Sequence, residues 1–497
     1  MSLAFPRLVA AQQNPPTEAP DYLRVVRTSV DALLERGVDR WGDNHTALII
    51  SILDRKTLEP PAKLPGGSAG VRNSDRTNEY GSNANIQQNL YRVMMLLSDL
   101  TDDPRYRAAA EAALVDLLRY GQSPETGLLG WGEHLFIDLR SEQVASNGQE
   151  TPSYHEMKKK LIFWDLLHQR EPKRLLTFAR GVWDHQIYDH KTGDFSRHAS
   201  WHKHGPRRGY DFTKEGGYMI ALWSQAYEEA EDPVYRQAVE SLARRYTRKL
   251  NERNLLDYDS VRPNYCNNGH NITLAFECQQ AAERFRAPQG EEKDDATAKR
   301  LVELASRIDQ GFLGVNHAVG DPHRGFIATS LTEDGQPCDR DGPGPGGYSV
   351  LWGMGYGKQT TAMVALHVYH RAKQLPPGTV REAYLDLFRE AADVYKQVDA
   401  IDREKDVWAC EPGMAILLLV AAHRETGDAS YLKAAERLAR QSVAMFWDES
   451  SPLPKASSRK SHYEAMTGAD TLMLALLAVH TARNDSRVDV PISDLDK

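Results

Sequence analysis

Two stretches near the C-terminus decide the fold: Met414–Ala421, which reads MAILLLVA, and Thr471–Val479, which reads TLMLALLAV. Wound into helices, both are apolar nearly all round, which is typical of a helix that is buried on every side. Five further segments, richer in small and apolar residues than their neighbours, resemble these two. The seven helices of this first kind are predicted to begin near Ile86, Glu156, Gly216, Asn271, Gly357, Pro412 and Gly468.

Amphipathic helices of a second kind alternate with the apolar ones. Asp103-Pro104, Asp232-Pro233 and Asp428-Ala429 each place an acidic cap before apolar residues at three- and four-residue steps. Four more helices of this kind are predicted, one over about Tyr22–Arg36 and three that start near Pro172, Asp295 and Val380.

Seven alternating pairs predict an all-α fold, an (α/α)7 toroid whose ring of helical hairpins is closed or incomplete. An open helical array is the alternative, and the irregular spacing of the pairs excludes a strict solenoid. We expect one toroid domain over residues 1–497, with residues 1–20 as a flexible N-terminal segment. Alternating stretches are short and confined to loops, so any β-structure should be minor.

Composition narrows the class of partner. The net charge is −8 and the pI is near 6.1, which argues against a nucleic acid, since phosphate binding needs a basic surface. No apolar run approaches the ~18–20 residues of a membrane span. The four cysteines form no C-x-x-C pair, so a disulfide framework is not expected. The first residues lack the features of a signal peptide, which leaves a cytoplasmic location and export after signal removal both open.

The predicted toroid brings together the loops that enter the apolar helices, and we call this edge the rim. Each of these loops carries a short polar or aromatic run, and such a concentration at one edge predicts a carbohydrate-type cleft. The runs are Ser82–Asn85, His155-Glu156, Lys214-Glu215, Asn267–His270, Tyr356–Gln359, Cys410-Glu411 and His462–Glu464.

Three side chains in or near these loops are candidate metal ligands: His134, Glu156 and His198. Two imidazoles and a carboxylate suit a divalent Mn, Co, Ni or Zn ion with open positions for substrate, whereas calcium fits this donor set less well. The alternative is three unrelated loop residues. Spacing alone favours that alternative, because no local motif such as H-E-x-x-H is present.

The segment from Gly130 to His198 resembles polysaccharide lyase family 2, the metal-dependent pectate and exopolygalacturonate lyases. The resemblance is carried by Trp131-Gly-x-His134, by His155-Glu156-x-Lys158 and by Arg197-His198. It implies an (α/α)7 toroid in which His134, Glu156 and His198 bind the metal and Arg197 is the catalytic base. It also implies an acidic oligo- or polysaccharide substrate, a pectate-like polyuronate cleaved by β-elimination.

Side-chain chemistry alone leaves several roles open. Arg197 is ordinarily protonated, so its chemistry favours pairing with a substrate carboxylate, whereas the resemblance implies the base. Lys158 and Arg208 would bind further carboxylates or remain solvated surface cations. The aromatic residues Trp201, Tyr348 and Trp352 would stack on sugar faces or serve as packing anchors.

Two other functions fit the same fold. A glycoside hydrolase or sugar epimerase would use carboxylates or histidines of the rim without metal, with Glu215, Glu411 and Glu464 as candidates. A non-catalytic glycan-binding toroid would keep an aromatic rim while its metal site was absent or structural.

Overall fold

The computed structural model describes residues 20–148, 152–203, 209–286, 295–338, 346–355 and 357–484, together with residues 486, 488, 490 and 491. The predicted N-terminal segment lies outside the described residues except for Pro20, and so do Arg208 and Tyr356.

Fourteen helices in the described residues alternate between two layers. The amphipathic helices are α1 (Tyr22–Arg36), α3 (Pro104–Gly121), α5 (Pro172–Gln186), α7 (Pro233–Lys249), α9 (Asp295–Leu313), α11 (Thr379–Gln397) and α13 (Ala429–Phe446). The helices of the other layer are α2 (Gln88–Thr101), α4 (Trp164–Arg170), α6 (Thr213–Ala230), α8 (Asn268–Phe285), α10 (Thr361–Gln374), α12 (Cys410–Thr426) and α14 (Ala469–Arg483).

The N-termini of the amphipathic helices follow the local sequence. Asp103, Asp232 and Asp428 each accept a hydrogen bond from the backbone N–H two residues further on, at 3.2, 2.9 and 2.8 Å. Such a bond satisfies one of the N–H groups that a helix leaves unpaired at its start. The predicted caps are therefore confirmed.

Burial separates the two layers. Every residue of α12 from Cys410 to Ala422 is buried, whereas α13 buries residues at three- and four-residue steps, such as Tyr431, Ala434, Leu438 and Ser442. A helix covered on all sides must be apolar all round, and a helix with one wet face must be amphipathic. The apolar helices therefore form the inner layer and the amphipathic helices the outer layer.

The inner helices form a ring. Helix α6 packs on α8, α8 on α10, α10 on α12 and α12 on α14, while α14 packs on both α2 and α1. Residues 156–163 connect α2 with α8, because the Ile162 N–H donates to Gln88 Oε1 at 3.0 Å and Lys160 Nζ lies 2.8 Å from Glu277 Oε2. The predicted all-α toroid of helical hairpins is confirmed.

The second inner helix differs from the prediction. It was expected near Glu156 but begins at Trp164 and is only seven residues long. The backbone before it is paired outside any helix: the Glu156 N–H donates to the Trp131 carbonyl oxygen, and the Gln88 side chain binds both Lys160 O and Ile162 N. These long-range bonds satisfy the groups that a helix would otherwise pair, so the segment stays irregular.

The described strands are two or three residues long and lie in the loops. They are β1 (Ile52–Leu53), β2 (Gly81–Ser82), β3 (Phe136–Asp138), β4 (Gln143–Ala145), β5 (Tyr154–His155), β6 (Ile187–Asp189), β7 (Asp194–Phe195), β8 (Ala199–Ser200), β9 (Tyr265–Asn267), β10 (Thr329–Leu331) and β11 (Tyr463–Glu464). They pair antiparallel as β1–β11, β2–β3–β4, β5–β8, β6–β7 and β9–β10.

One hydrophobic cluster extends through both layers, from Tyr22 to Val490. The assignment of the whole chain to one domain stays a prediction. Among the helices of the described residues, none combines the length and the apolar character that crossing a membrane requires.

Candidate metal centre and cleft

Three separate segments deliver the predicted metal ligands. His155, the last residue of strand β5, pairs with Ala199 of β8. Glu156 comes directly after His155 and His198 directly before Ala199, so this pairing brings the two ligands close together. The turn that carries His134 is fixed to the same place, because the Trp131 carbonyl oxygen accepts the Glu156 N–H at 3.0 Å. A small sheet and one backbone bond thus gather side chains that lie far apart in the sequence.

The side chains of His134, Glu156 and His198 meet. His134 Nε2 lies 3.2 Å from Glu156 Oε1, and His198 Nε2 contacts the same oxygen. One nitrogen or oxygen atom from each of the three residues lies within 4.8 Å of the other two. This spacing allows all three to contact a single ion.

The donor atoms fit a divalent transition metal. His134 Nδ1 lies 3.2 Å from the Ser74 carbonyl oxygen. Because a carbonyl oxygen can only accept, Nδ1 carries the proton, and Nε2 of the neutral ring then has a lone pair. Arg197 Nε donates to His198 Nε2 at 3.0 Å, so this nitrogen also presents a lone pair. Glu156 is completely buried, and its Oε2 has no hydrogen-bond partner among the described residues. A cation that replaced the Arg197 N–H at His198 Nε2 would satisfy these acceptors together.

The pKa values of the three groups reflect their contact. Against the effect of complete burial, Arg197 and the two imidazoles hold the pKa of Glu156 well below its usual range. Against its own burial, His134 has its pKa raised by the Glu156 carboxylate. Burial lowers the pKa of His198. The carboxylate is therefore ionised at neutral pH, as metal binding requires.

Arg197 lies directly beside this centre. Its side chain is 5% exposed, and Nη2 is 3.0 Å from Glu156 Oε1 and 3.1 Å from Glu133 Oε1. The guanidinium also stacks over the Phe212 ring, with Cζ 4.5 Å from the ring centroid. These contacts fix the plane of the guanidinium. A fixed plane is needed whether the group binds the carboxylate of the substrate or removes a proton from it, because either role requires one orientation relative to the substrate.

Sequence reasoning missed Glu133, although it is adjacent to His134. This carboxylate is 3% exposed and contacts three cations: Arg72 Nη2 at 3.0 Å, Arg197 Nη2 at 3.1 Å and Lys158 Nζ at 2.9 Å. Arg72 also binds Asp75 at 2.7 Å. The residue type gave no signal, since a glutamate in a polar loop is ordinarily solvated.

A cavity of about 50 Å³ adjoins the predicted metal centre through Arg197 and Lys158. Its walls include Phe212 and Tyr258 as well as the amides of Asn267 and Gln359. The nitrogen bases and cations that line it are Lys158, Arg197, Lys214, His270 and Lys358. This concentration of positive charge, in a chain of net charge −8, favours an anionic ligand.

Burial alters the charge state of the groups around the cavity. Burial and the neighbouring Lys158 lower the pKa of Lys214 to about 7, and burial raises the pKa of Glu215 to about 7. Burial and the neighbouring Lys214 also place the pKa of His270 well below its ordinary value. Positive charge in the cavity should therefore decrease as the pH rises through neutrality.

The predicted aromatic contacts have different surroundings. Trp352 is 4% exposed and packs edge-on against Tyr395, which favours the packing role. Trp201 is half-buried against the core, and its Nε1 donates to the Gly121 carbonyl oxygen at 3.4 Å. Tyr348 is half-buried against a small apolar cluster with Leu255. A stacking role for these three residues stays a prediction.

Tyr210, which sequence analysis did not select, is an exposed aromatic residue beside the centre. It is 44% exposed, and its ring centroid lies 5.9 Å from that of His198. Its φ of +58° is unusual for a bulky residue, and its carbonyl oxygen accepts the Arg197 N–H at 3.2 Å. Such backbone strain persists only where the surroundings enforce it and is common at functional sites.

The other rim carboxylates are held by different partners. Glu464 forms a two-pronged ion pair with Arg76 at 2.6 and 3.1 Å and contacts His462 Nε2 at 2.8 Å. Glu411 accepts backbone N–H groups of Gly353, Met354 and Trp408, and burial raises its pKa to about 7 against these bonds.

Comparison with known proteins relates part of the chain to the pectate lyases. Residues 68–238 match the family model described as periplasmic pectate lyase. A pectate disaccharide-lyase of Dickeya dadantii (strain 3937) is 33% identical over 121 residues, which cover 24% of this chain and 22% of the length of that protein. The predicted resemblance to pectate lyases is confirmed over residues 68–238, which include His134, Glu156, Arg197 and His198.

Solved structures with a similar arrangement of helices include two kinds of sugar enzyme. Cellobiose 2-epimerase from Bacillus thermoamylovorans B4167 has a TM-score of 0.45 at 9% identity, covering 93% of this chain and 99% of its own. The GH76A alpha-1,6-mannanase from Salegentibacter sp. HEL1_6 has a TM-score of 0.42 at 9% identity, covering 93% of this chain and 100% of its own. Likeness at this level bears on neither activity nor substrate.

Proposed function

We propose that this protein is a metal-dependent polysaccharide lyase that cleaves a pectate-like polyuronate by β-elimination. The observation that carries the proposal is the meeting of His134, Glu156 and His198 around one point, with Arg197 within 3.0 Å of the shared carboxylate. The match of residues 68–238 to the pectate lyase family supports it independently of the geometry.

The substrate class follows from the charge of the cleft. A polyuronate carries one carboxylate on each sugar, and the cavity beside the proposed metal centre presents Lys158, Arg197, Lys214 and Lys358. Charge-assisted hydrogen bonds from these groups would hold the carboxylates of neighbouring sugars. A neutral polysaccharide would form none of these charge-assisted bonds, so the cavity favours the charged polymer.

The reaction removes the proton at C5 of the sugar, breaks the C4–O4 bond and leaves a C4=C5 double bond. Proton removal adds negative charge next to a carboxylate, and a bound divalent cation would neutralise that carboxylate. His134, Glu156 and His198 would hold this cation. Arg197 would either accept the C5 proton, as the family resemblance implies, or orient the carboxylate. The departing O4 takes its proton from solvent or from a cleft acid.

The test is an elimination assay on polygalacturonate with purified protein of measured metal content. We expect ultraviolet absorbance from the unsaturated product, loss of the signal with EDTA and recovery when Mn²⁺ is added. The methyl-esterified polymer should react poorly, because it lacks the carboxylates that the cations would bind. Cleavage that yields reducing ends without this absorbance would reject elimination.

A metal-free glycoside hydrolase is the second candidate, and one observation favours it. Glu215 and Glu411 are buried carboxyls with pKa values raised to about 7, and a general acid of a hydrolase needs such a pKa. In that case EDTA would leave activity unchanged. Replacement of Glu215 by Gln would abolish activity, whereas replacement of Glu156 would have little effect on catalysis.

A further inference from the structure

The carboxylate of Glu133 joins three cations that come from different parts of the chain. Oε1 contacts Arg72 and Arg197, and Oε2 contacts Lys158. Arg197 and Lys158 both line the cavity next to the proposed metal centre, whereas Arg72 is 40% exposed and is not among the residues that line it. One buried negative charge therefore lies at the point where the two cleft cations meet.

Glu133 is a partner that Lys158 and Arg197 share, while Glu156 contacts Arg197 as well. Lys158 and Arg197 repel each other, and both are nearly buried, so bulk solvent screens this repulsion weakly. Glu133 provides one carboxylate oxygen to each of them, at 2.9 and 3.1 Å. An ion pair at each carboxylate oxygen restricts the positions of both cations more than a contact with one of them would.

The backbone places this carboxylate with little freedom. Gly132 has a φ of +116°, and a Cβ there would lie 2.9 Å from Glu156 Cβ. The turn that carries Glu133 is therefore packed directly against the segment of Glu156 and Lys158. The position of Glu133 is therefore fixed relative to Glu156 and Lys158.

We propose that Glu133 is a positioning residue: it holds the Arg197 guanidinium and the Lys158 ammonium in the orientations in which they meet the substrate carboxylate. This inference rests on the proposed lyase function. It assigns to Glu133 no contact with substrate and no part in binding the metal, and its effect on the reaction passes through the two cations.

The experiment is a double-mutant cycle in kcat and KM with Glu133→Gln, Lys158→Met and the double variant. Misplacement of a catalytic group by about 1 Å can reduce the rate ~100-fold. We expect a loss of this order in kcat for Glu133→Gln, with unchanged metal content. In the double variant the losses should be less than multiplicative, because neither change can disturb the pair once the other partner is gone.

Glu142→Gln is the matched control. Glu142 is also 3% exposed and lies in a neighbouring loop, where it binds Asn44. It should change thermal stability without changing kcat. If Glu133→Gln does not fold, Glu133→Asp, which keeps the charge but withdraws it by one methylene, should show the same loss in kcat.

The outcomes separate this inference from the proposed function. An active wild type whose Glu133→Gln variant keeps its kcat, or whose double variant shows multiplicative losses, would overturn the role of Glu133 alone. A wild type that eliminates no polyuronate would overturn the proposed function, and the positioning role would be rejected with it.

Discussion

The backbone N–H of Glu156 donates to the carbonyl oxygen of Trp131 at 3.0 Å. This bond joins two loops and brings the turn with Glu133 and His134 against the segment that carries Glu156 and Lys158. It is also one of the reasons why residues 156–163 do not form the helix that their sequence suggested. The proposed centre thus replaces the first part of an inner helix of the toroid.

Removal of a proposed ligand should remove the metal. For His134→Ala and Glu156→Gln we expect metal affinity to fall by more than ~100-fold, since loss even of an outer partner of a ligand costs up to that amount. Elemental analysis after dialysis measures it. His190→Gln is the control, because His190 contacts the Trp183 carbonyl oxygen instead. Equal metal content in all variants would contradict the assignment.

Arg197→Ala should abolish turnover while the metal stays bound. We expect kcat to fall by roughly 10²–10⁴-fold, the range for loss of an acid or base group. Added guanidine should restore part of the activity, since the Phe212 face and the Glu133 carboxylate would still be in place to receive it. Arg170→Ala, which changes a surface ion pair with Glu111, serves as the control. Full activity of Arg197→Ala would reject a direct role.

Affinity for an anionic oligosaccharide should weaken as the pH rises through neutrality. The pKa of Lys214 is lowered to about 7, so its ammonium group loses its positive charge above that pH. The pKa of Glu215 is raised to about 7, so its carboxyl group becomes negatively charged over the same range. Both changes make the cavity less positive. Calorimetric titration of the metal-free protein with a short oligogalacturonate measures the dissociation constant.

Lys214→Arg separates these two titrations. An arginine stays protonated at this pH, so the pH dependence should shrink to the part that Glu215 contributes. Lys191→Met, a change at an exposed lysine, should leave the profile unaltered. A dissociation constant of the wild type that is flat or falls with rising pH would contradict the charge states given above.

Gly132→Ala should destabilise the protein and weaken the centre. The φ of +116° is strained for alanine, and the new Cβ would lie 3.2 Å from the Glu156 backbone nitrogen and 2.9 Å from its Cβ. We expect a loss of about 1–3 kcal/mol in the free energy of unfolding. Gly148→Ala has a positive φ of +69° but meets no atom within 4 Å, so its loss should be smaller. Urea unfolding in the presence of EDTA compares the two.

Tyr210→Ala should weaken substrate binding without removing the metal. An exposed ring beside His198 can stack on a sugar, and ring contacts contribute about 0.5–1.5 kcal/mol, or roughly a 2- to 13-fold rise in KM. Tyr210→Phe should retain the wild-type KM. Tyr188→Ala, at a tyrosine of similar exposure on β6, is the control. A rise in KM for both alanine variants would indicate a general effect.

The sequence by itself determined most helix positions. Caps such as Asp103 and Asp232 and the apolar run Met414–Ala421 act over one or two turns, so their information is local and can be read from neighbouring residues. Family resemblance also selected His134, Glu156 and His198, which spacing alone would have left as unrelated loop residues.

Only the tertiary structure decided the rest, because the responsible contacts join residues far apart in the chain. The Gln88 side chain and the Trp131 carbonyl oxygen pair the backbone that would have extended α4, and Arg72, Lys158 and Arg197 gather around a glutamate that no motif distinguishes. Likewise, only the structure shows that Trp352 is buried whereas Tyr210 is exposed and could contact a sugar. Burial and ion pairing depend on the whole surrounding of a side chain, and a local pattern contains no information about that surrounding.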